Sequence, residues 1–237
     1  MNKAFLTAEW KNLLMINYEI DPAVLLPHLP HKTILDNYNG VYYVSLVGFL
    51  FLNTKVLGLK IPFHVNFEEV NLRFYVKRKV NNEWRRGVVF VREIVPKHAI
   101  AFVANTLYKE HYSAMPMRHQ VMRDEVLQVN YGWKYKGSWD ELGITTNKSP
   151  IAMKAGSLEE FIAEHYWGYN RVHVSKTTEY KVEHPKWNFF PAIDYTVSCR
   201  FSELYGNDFD FLSDAKPLSV FMADGSGVSV GHGSTLK

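Results

Sequence analysis

The sequence lacks the features that mark several large classes of protein. Its 237 residues include a single cysteine, Cys199, which excludes an internal disulfide and a cysteine-rich zinc site. No stretch approaches the roughly 18–20 uncharged apolar residues of a membrane span. The N-terminus acquires Glu9 and Lys11 before any signal-like apolar region forms. We therefore expect a cytoplasmic protein with no membrane partner.

An excess of charge of one sign is also missing. Twenty-seven basic residues against 24 acidic ones leave a net charge of +3, and the basic residues are spread along the chain. A nucleic-acid-binding domain ordinarily carries a concentrated basic patch, so we expect no nucleic-acid partner. Apolar residues make up 47% of the chain, which is enough to form a large core.

The motifs of several common enzyme classes are absent as well. There is no GxGxxG or HExxH, and the ten histidines are scattered without metal-ligand spacing. The sequence therefore predicts neither a metal nor a cofactor. A site of two histidines and one carboxylate that assembles only in the folded chain is the alternative left open.

Most of the apolar periodicity is that of β-strands. About eight strands alternate with two or three short helices, and no break in composition indicates a domain boundary. The sequence predicts one domain over residues 1–237, of the α+β class and predominantly antiparallel β. We expect a curved sheet or a cone-shaped barrel. Residues 41–52 are apolar on both faces, which is typical of a central strand.

Local signals predict several connections. Asp21 and Pro22 have the chemistry of a helix start, and Asn81-Asn82 is predicted to join two strands as a hairpin. Ser157 to Glu160 forms a capping box, which predicts a helix to about residue 167. The Gly- and Ser-rich end is expected to add only a short strand at residues 228–230 before fraying.

One predicted strand, over residues 65–76, has a polar face. Glu69, Asn71 and Arg73 alternate on that face between the aromatic residues Phe67 and Tyr75. Such a face lines the interior of a barrel around a polar cavity, or it is an ordinary solvent face. Both interpretations remain open from the sequence.

Residues 87–112 change from a strand period to a helical period. Residues 87–95 alternate as a strand, with Phe90 and Arg92 on one face and Glu93 on the other. A helix is predicted from Pro96 to residue 112, followed by a polar connection.

Lys97 and His98 are predicted at the corner between that strand and that helix. The positive end of the helix dipole disfavours an ammonium group there. Lys97 is therefore either an amine of lowered pKa or a solvated lysine in a turn.

An aromatic-rich segment, HYWGYN, follows at residues 165–170. Tyr166 and Trp167 carry polar groups on large apolar rings. Such segments close a core at a helix end, or they line a small-molecule pocket.

Several segments together resemble a known family. They are NYEID at residues 17–21, YVSLVGF at 43–49, residues 66–76, residues 86–97, and EHYWGY at 164–169. These segments are similar to the uncharacterised YqjF-like bacterial family, over nearly the whole chain. That family is in turn similar to the acetoacetate-decarboxylase-like superfamily. The resemblance implies a curved antiparallel sheet that closes into a cone-shaped barrel around a pocket.

The resemblance also implies a chemistry. In acetoacetate decarboxylases a lysine forms a Schiff base with the keto acid, and an adjacent lysine helps to keep its amine deprotonated. The decarboxylase motif runs Arg-Glu, a short spacer containing glycine, then Pro-Lys-Lys. Here Arg92 and Glu93 are followed by Pro96, Lys97 and His98. The spacer is about two residues shorter, and a histidine replaces the second lysine.

Two functional hypotheses follow. In the first, Lys97 forms an iminium with a small keto acid or ketone, Glu69 or Glu93 transfers protons, and Arg73 or Arg92 binds the substrate carboxylate. In the second, the protein is a non-catalytic barrel that binds a small molecule. The other predicted binding residues are His98, Tyr166 and Trp167. A protein–protein interaction module and a homo-oligomer are further alternatives.

Overall fold

The computed structural model describes residues 4–107 and 110–237, apart from the side chain of residue 107. The strands are β1 Leu6–Glu19, β2 Ile34–Leu35, β3 Tyr43–Val56, β4 Phe67–Val80, β5 Glu83–Val95, β6 Tyr112–Ala114, β7 Met117–Arg123, β8 Leu127–Tyr135, β9 Ser138–Thr146, β10 Ile151–Ala152, β11 Trp167–His173, β12 Lys176–Glu183, β13 Asn188–Ser198, β14 Ser219–Val230 and β15 Ser234–Leu236. The helices are α1 Pro22–Leu25, α2 His98–Leu107, α3 Leu158–Ala163 and α4 Phe201–Tyr205, with short 3-10 turns at Leu26–His28 and Asn207–Ser213. In this part of the chain no helix has the length and apolarity needed to cross a membrane.

Seven strands form a closed ring. Their order is β12-β11-β5-β4-β3-β1-β14, and β14 pairs back onto β12 through Val182 with Val230 and Glu183 with Ser229. Only the contact of β11 with β5 in this ring is parallel. The prediction of a predominantly antiparallel, curved sheet with a few short helices is confirmed.

A second sheet branches from the ring at β14 and covers part of its outer surface. Its strands follow in the order β13-β9-β8-β7. Trp133 and Leu142 of this sheet belong to one core cluster with Leu46 of the ring. Val47, the next residue of β3, belongs to a second cluster inside the ring. The prediction that this strand is buried on both faces is confirmed.

Three short sequence signals form the turn and the two helix caps that they predict. Asn81 and Asn82 both have positive φ angles, 48° and 67°, and they form the two-residue turn between β4 and β5. The side chain of Asp21 accepts a hydrogen bond from the backbone N–H of residue 23 at 2.8 Å and caps α1. Ser157 accepts from the backbone N–H of Glu160 at 3.3 Å and caps α3.

The ends of several elements differ from the predictions. α3 stops at residue 163 rather than about 167, because Trp167 begins β11 and pairs with both β5 and β12. α2 ends at residue 107, since Tyr112 pairs with β5 as part of β6. The predicted polar connection after α2 contains β7, whose mostly exposed side chains give no apolar alternation.

The glycine-rich end does not fray as predicted. It forms the long strand β14, which pairs with β1 along most of its length. Gly225 has a φ of 76°, and a Cβ atom there would lie 2.0 Å from the carbonyl oxygen of Trp10. Glycine therefore permits the two strands to approach, and it does not indicate disorder here.

Candidate functional site

A β-bulge in β5 decides which side chains enter the ring. Leu72 pairs with Arg92, but the next residue of β4, Arg73, pairs with Phe90, so β5 contains one extra residue. The alternation shifts at this point, and Glu93 enters the same interior as Phe90. The prediction that Phe90 and Glu93 lie on opposite faces is wrong, because regular alternation does not anticipate a bulge.

The bulge also moves Arg92 away from the site. Its charge acts on Tyr205, which belongs to the core between the ring and the second sheet. Arg92 is not among the residues that line the interior of the ring. The structure therefore does not place it where the predicted contact with a substrate carboxylate would occur.

The ring encloses a cavity of about 390 Å³. This volume suits a small organic molecule, since ligand cavities commonly measure about 300–1,000 Å³. Most of the wall is apolar and rich in aromatic rings, including those of Trp10, Phe49, Phe51 and Phe67. The main polar groups in the wall are those of Glu69, Asn71, Arg73, Glu93, Glu110, Tyr112, His165 and Tyr180. The polar face of β4 thus lines the interior, which settles the choice left open by the sequence.

Three glutamates of the wall form a buried cluster. Glu69, Glu93 and Glu110 are 2%, 1% and 8% exposed, and none pairs with a cation among the described residues. Asn71 Nδ2 donates to Glu69 Oε1 at 3.0 Å, and the Tyr112 hydroxyl donates to Glu69 Oε2 at 2.9 Å. Glu69 is therefore held by two neutral donors.

The other two carboxyl groups contact one another. Glu110 accepts hydrogen bonds from the Tyr180 hydroxyl and, at 3.0 Å, from Asn170 Nδ2. It also shares a hydrogen bond with Glu93, which requires a proton on one of the two carboxyl groups. Within the described residues, Glu93 Oε2 is buried and has no hydrogen-bond partner.

Burial raises the pKa of all three carboxyl groups. It is the largest cause at Glu69, where the charge of Glu110 adds to it and raises the pKa to about 8. At Glu93, burial followed by the charges of Glu110 and Glu69 raises the pKa well above its ordinary value. Burial likewise raises the pKa of Glu110. The cluster therefore holds protons at neutral pH, and it offers O–H donors as well as acceptors to the cavity.

Arg73 is the arginine of the cavity wall. Its Nη2 donates to the carbonyl oxygen of Ile162 at 3.2 Å, and its guanidinium lies 5.7 Å from the ring centre of Tyr75. Its Nε is buried without a hydrogen-bond partner, and no carboxylate in the described part of the chain forms an ion pair with it. The guanidinium is thus available to an anionic group of a ligand.

A separate charged cluster centres on Asp36 and includes His165, a residue of the cavity wall. Asp36 accepts hydrogen bonds from Lys77 at 2.9 Å and Arg86 at 2.7 Å, and it lies 3.4 Å from His165. Burial alone would raise the pKa of Asp36, but these three partners outweigh burial and hold it well below its ordinary value. Burial lowers the pKa of His165 to about 4, so its ring is neutral at pH 7.

Lys97 and His98 join β5 to α2 without lining the cavity. Lys97 is half-buried and His98 is exposed, whereas the next two residues, Ala99 and Ile100, do line the cavity. Neither Glu69 nor Glu93 forms an ion pair with Lys97 in the part of the chain that the structure describes. The predicted Schiff-base role of Lys97 remains a prediction.

The two predicted aromatic residues are separated. Trp167 lines the cavity, and the guanidinium of Arg85 lies 4.3 Å from its ring centre. Tyr166 is not part of the wall: its hydroxyl donates to Glu164, and its ring lies 4.7 Å from that of His184. Trp167 is the first residue of β11 and pairs within the ring, whereas Tyr166 precedes the strand.

Three side chains of the cavity wall were not identified from the sequence: Glu110, Tyr112 and Tyr180. Glu110 and Tyr112 fall where a helix was predicted, and the parallel pairing of Tyr112 with Glu93 has no local signal. For Tyr180 the sequence contains one signal, the glycine at position 168. Gly168 pairs with Tyr180, and a Cβ atom at Gly168 would lie 2.2 Å from the Tyr180 ring. A glycine inside a strand indicates such a close approach.

Comparisons with known proteins agree with this architecture. The model of the DUF2071 family, described as an uncharacterized conserved protein, matches residues 7–227. The chain is 24% identical over 180 residues to the uncharacterized protein YqjF of Bacillus subtilis (strain 168), covering 75% of this chain and 72% of that protein.

Two solved structures have a similar fold. One is the acetoacetate decarboxylase of Legionella pneumophila subsp. pneumophila str. Philadelphia 1, with a TM-score of 0.68, 13% identity, and coverage of 100% of this chain and 90% of that chain. The other is the enduracididine biosynthesis enzyme MppR complexed with pyruvate, with a TM-score of 0.66, 12% identity, and coverage of 100% and 92%. At these identities the likeness concerns the fold alone.

Proposed function

Because the chain belongs to the DUF2071 family, whose model spans nearly all of it, and because its cavity combines an apolar wall with proton-holding carboxyl groups, we propose that it binds a small, largely apolar 2-oxo acid. The ligand's carboxylate would pair with Arg73, and its oxo oxygen would accept a hydrogen bond from the glutamate cluster. The observation that carries the proposal is the buried cluster of Glu69, Glu93 and Glu110.

The two polar contacts are compatible with one small molecule. Asn71 is opposite Glu93, and Arg73 lies two residues further along β4. Diagonal neighbours on adjacent strands are about 7–8 Å apart at the backbone, so one short ligand can reach both side chains. Glu93 Oε2 and Arg73 Nε are buried without partners among the described residues. A ligand that supplies both hydrogen bonds removes a desolvation cost that the empty site carries.

The rest of the cavity wall favours a ligand with an apolar side chain. Trp10, Phe49 and Phe51 offer aromatic surface and few polar contacts. A ligand with a branched or aromatic side chain buries more apolar surface here than pyruvate does, and each buried CH2 contributes about 0.8 kcal/mol. We therefore expect affinity to rise with the size of the side chain until the cavity is full.

The test is a calorimetric titration with matched compounds. The panel holds pyruvate, 4-methyl-2-oxopentanoate and phenylpyruvate, each beside its 2-hydroxy analogue and its amide. The proposal predicts binding of the larger 2-oxo acids and weaker binding of both analogues. Glu93→Leu and Arg73→Gln should each weaken binding at least about tenfold, since each change removes a contact to a polar group. Glu183→Leu, at an exposed position, is the matched control for the first variant. Absence of binding across the panel, or equal binding by all variants, rejects the proposal.

A second function, Schiff-base chemistry at Lys97, is supported by one feature. Lys97 lies two residues before Ala99, the first residue of α2 that lines the cavity. The amine would condense with the oxo group and release water. Borohydride trapping followed by mass spectrometry tests this, with Lys97→Ala and the exposed Lys154→Ala as a pair. An adduct that maps to Lys97 supports an enzyme. Binding without an adduct supports the non-catalytic function.

A further inference from the structure

Exposed apolar side chains concentrate in two segments, the loop between β3 and β4 and the helix α2. The three most exposed large apolar residues of the described chain are Phe63 at 87%, Leu59 at 72% and Phe102 at 72%. Two of them lie in the loop between β3 and β4, and the third lies on α2. Together with Leu57, Ile61 and Val103 they form a set that we call the collar. Six of the fifteen exposed large apolar residues in the described part of the chain thus belong to two short segments.

The collar surrounds the opening of the cavity. Leu57, Ile61 and Val103 are 50%, 47% and 40% exposed, yet all three also line the cavity. Side chains that touch both solvent and cavity must stand at the mouth. Apart from His64, which also lines the cavity, the surface of these segments continues as an apolar one from the cavity wall onto the outside of the protein. Soluble proteins rarely expose such a continuous apolar surface unless something binds there.

The two chain segments that carry the collar contain only basic charged residues. Lys55 and Lys60 flank the loop, and Lys97 and His98 precede the exposed face of α2. No acidic residue occurs in residues 53–66 or 96–107. One carboxylate lies nearby: Glu9 of β1 accepts a hydrogen bond from the side chain of Asn53 in β3 at 2.9 Å. An apolar surface bordered by basic side chains matches the chemistry of an anionic lipid surface.

We propose that the collar docks the protein onto an anionic phospholipid surface, with the cavity mouth facing the lipid. Phe63 and Phe102 would enter the boundary between headgroups and acyl chains, and Lys55 and Lys60 would contact the headgroups. A second copy of the chain fits the surface less well, because a two-fold contact would bring the same basic residues together. The prediction of no membrane partner rests on the absence of a spanning-length run, and a spanning run is not required for contact at the surface.

The proposal does not depend on the identity of the cavity ligand, so it is tested with vesicles alone. The full chain is sedimented with vesicles of phosphatidylcholine, and with vesicles in which roughly three-tenths of the lipid is phosphatidylglycerol. We expect binding to the second kind only, and weaker binding as salt rises from about 0.05 to 0.5 M. Phe63→Ser and Phe102→Ser should each lower the partition coefficient at least about tenfold.

Two controls keep the result specific. Phe211→Ser makes the same substitution at an exposed phenylalanine outside the collar and should leave vesicle binding unchanged. Lys55→Glu with Lys60→Glu reverses the charge without altering the apolar surface, and it should abolish the preference for anionic vesicles. Circular dichroism confirms folding of each variant.

Three outcomes would overturn the proposal. The first is absence of binding to either kind of vesicle at low salt. The second is equal loss of binding in Phe211→Ser and Phe63→Ser. The third is a dimer, detected by light scattering without lipid, that Phe63→Ser dissociates, because it would identify a second copy as the occupant.

Discussion

The glutamate cluster should make the protein less stable as the pH rises through neutrality. Glu69 has an ordinary pKa of 4.5, and burial raises its pKa in the folded protein to about 8. Above pH 4.5 the unfolded chain releases this proton, while the folded protein keeps it. The stabilisation is therefore complete below pH 4.5 and is lost as the pH rises to about 8.

The size of the effect follows from the same two values. Each pKa unit corresponds to about 1.4 kcal/mol, so the titration of Glu69 alone removes roughly 5 kcal/mol between pH 4.5 and pH 8. Native proteins are commonly stable by only about 5–15 kcal/mol, so the loss should be easy to measure.

Glu69→Gln removes this titration while keeping the local hydrogen bonds. The glutamine carbonyl accepts from Tyr112, and its amide N–H donates to Asn71 once the amide of Asn71 turns over. That rotation is available because Asn71 Oδ1 has no hydrogen-bond partner among the described residues. We expect the variant and the wild type to have similar stability at pH 4.5. By pH 8 the variant should be the more stable by up to about 5 kcal/mol.

Urea unfolding at pH 4.5, 6, 7 and 8 measures the difference. Glu93 and Glu110 are present in both proteins, but the variant also loses the Glu69 charge that helps to raise the pKa of Glu93, which changes the difference in the same direction. Glu141→Gln, at a half-exposed carboxyl, is the control and should follow the wild type. Parallel curves for Glu69→Gln and the wild type would refute the reasoning, because they would mean that Glu69 is ionised in the folded protein at neutral pH.

Two further changes test other parts of the structure. Asp36→Asn leaves the cations around Asp36 without their buried counter-charge, and it should cost about 3–5 kcal/mol at pH 7 in urea unfolding. Because the pKa of Asp36 is lowered, its contribution is present above its ordinary value of 3.8 and is lost at lower pH, so the cost should shrink by pH 3. Gly168→Ala places a Cβ atom 2.2 Å from the ring of Tyr180, and it should destabilise the protein by about 1–3 kcal/mol. It should also move Tyr180 away from Glu110, which tyrosine fluorescence would detect, whereas Gly227→Ala meets no atom within 4 Å and is the control for steric contact.

The sequence was informative where structure is set locally. The alternation of Glu69, Asn71 and Arg73 predicted one face of β4, and the asparagine pair predicted the turn that follows it. Both depend on residues close together in the chain, where side-chain period and turn chemistry act directly. The curved antiparallel sheet was predictable for the same reason, combined with the family resemblance.

The rest of the site depends on pairings between distant segments. Glu110 and Tyr112 line the cavity because β6 pairs parallel with β5. No periodicity in the sequence predicts that pairing. The bulge in β5 changed the face of Glu93 by one inserted residue, which regular alternation cannot anticipate. Lys97 was the most distinctive residue of the motif, but a motif matches chain order and does not determine which way a side chain points.

The closure of the ring by β14 also constrains when the cavity can form. β1 is synthesised well before its partner β14, because residue 6 lies opposite residue 230. Until residues 219–230 have left the ribosome, β1, β3, β4 and β5 can pair only as an open sheet, and the outer edge of β1 stays without a partner. An unpaired strand edge is a site of intermolecular pairing. The cavity wall should therefore be completed only once residues 219–230 are available to pair, and nascent chains are the population in which aggregation through β1 is expected.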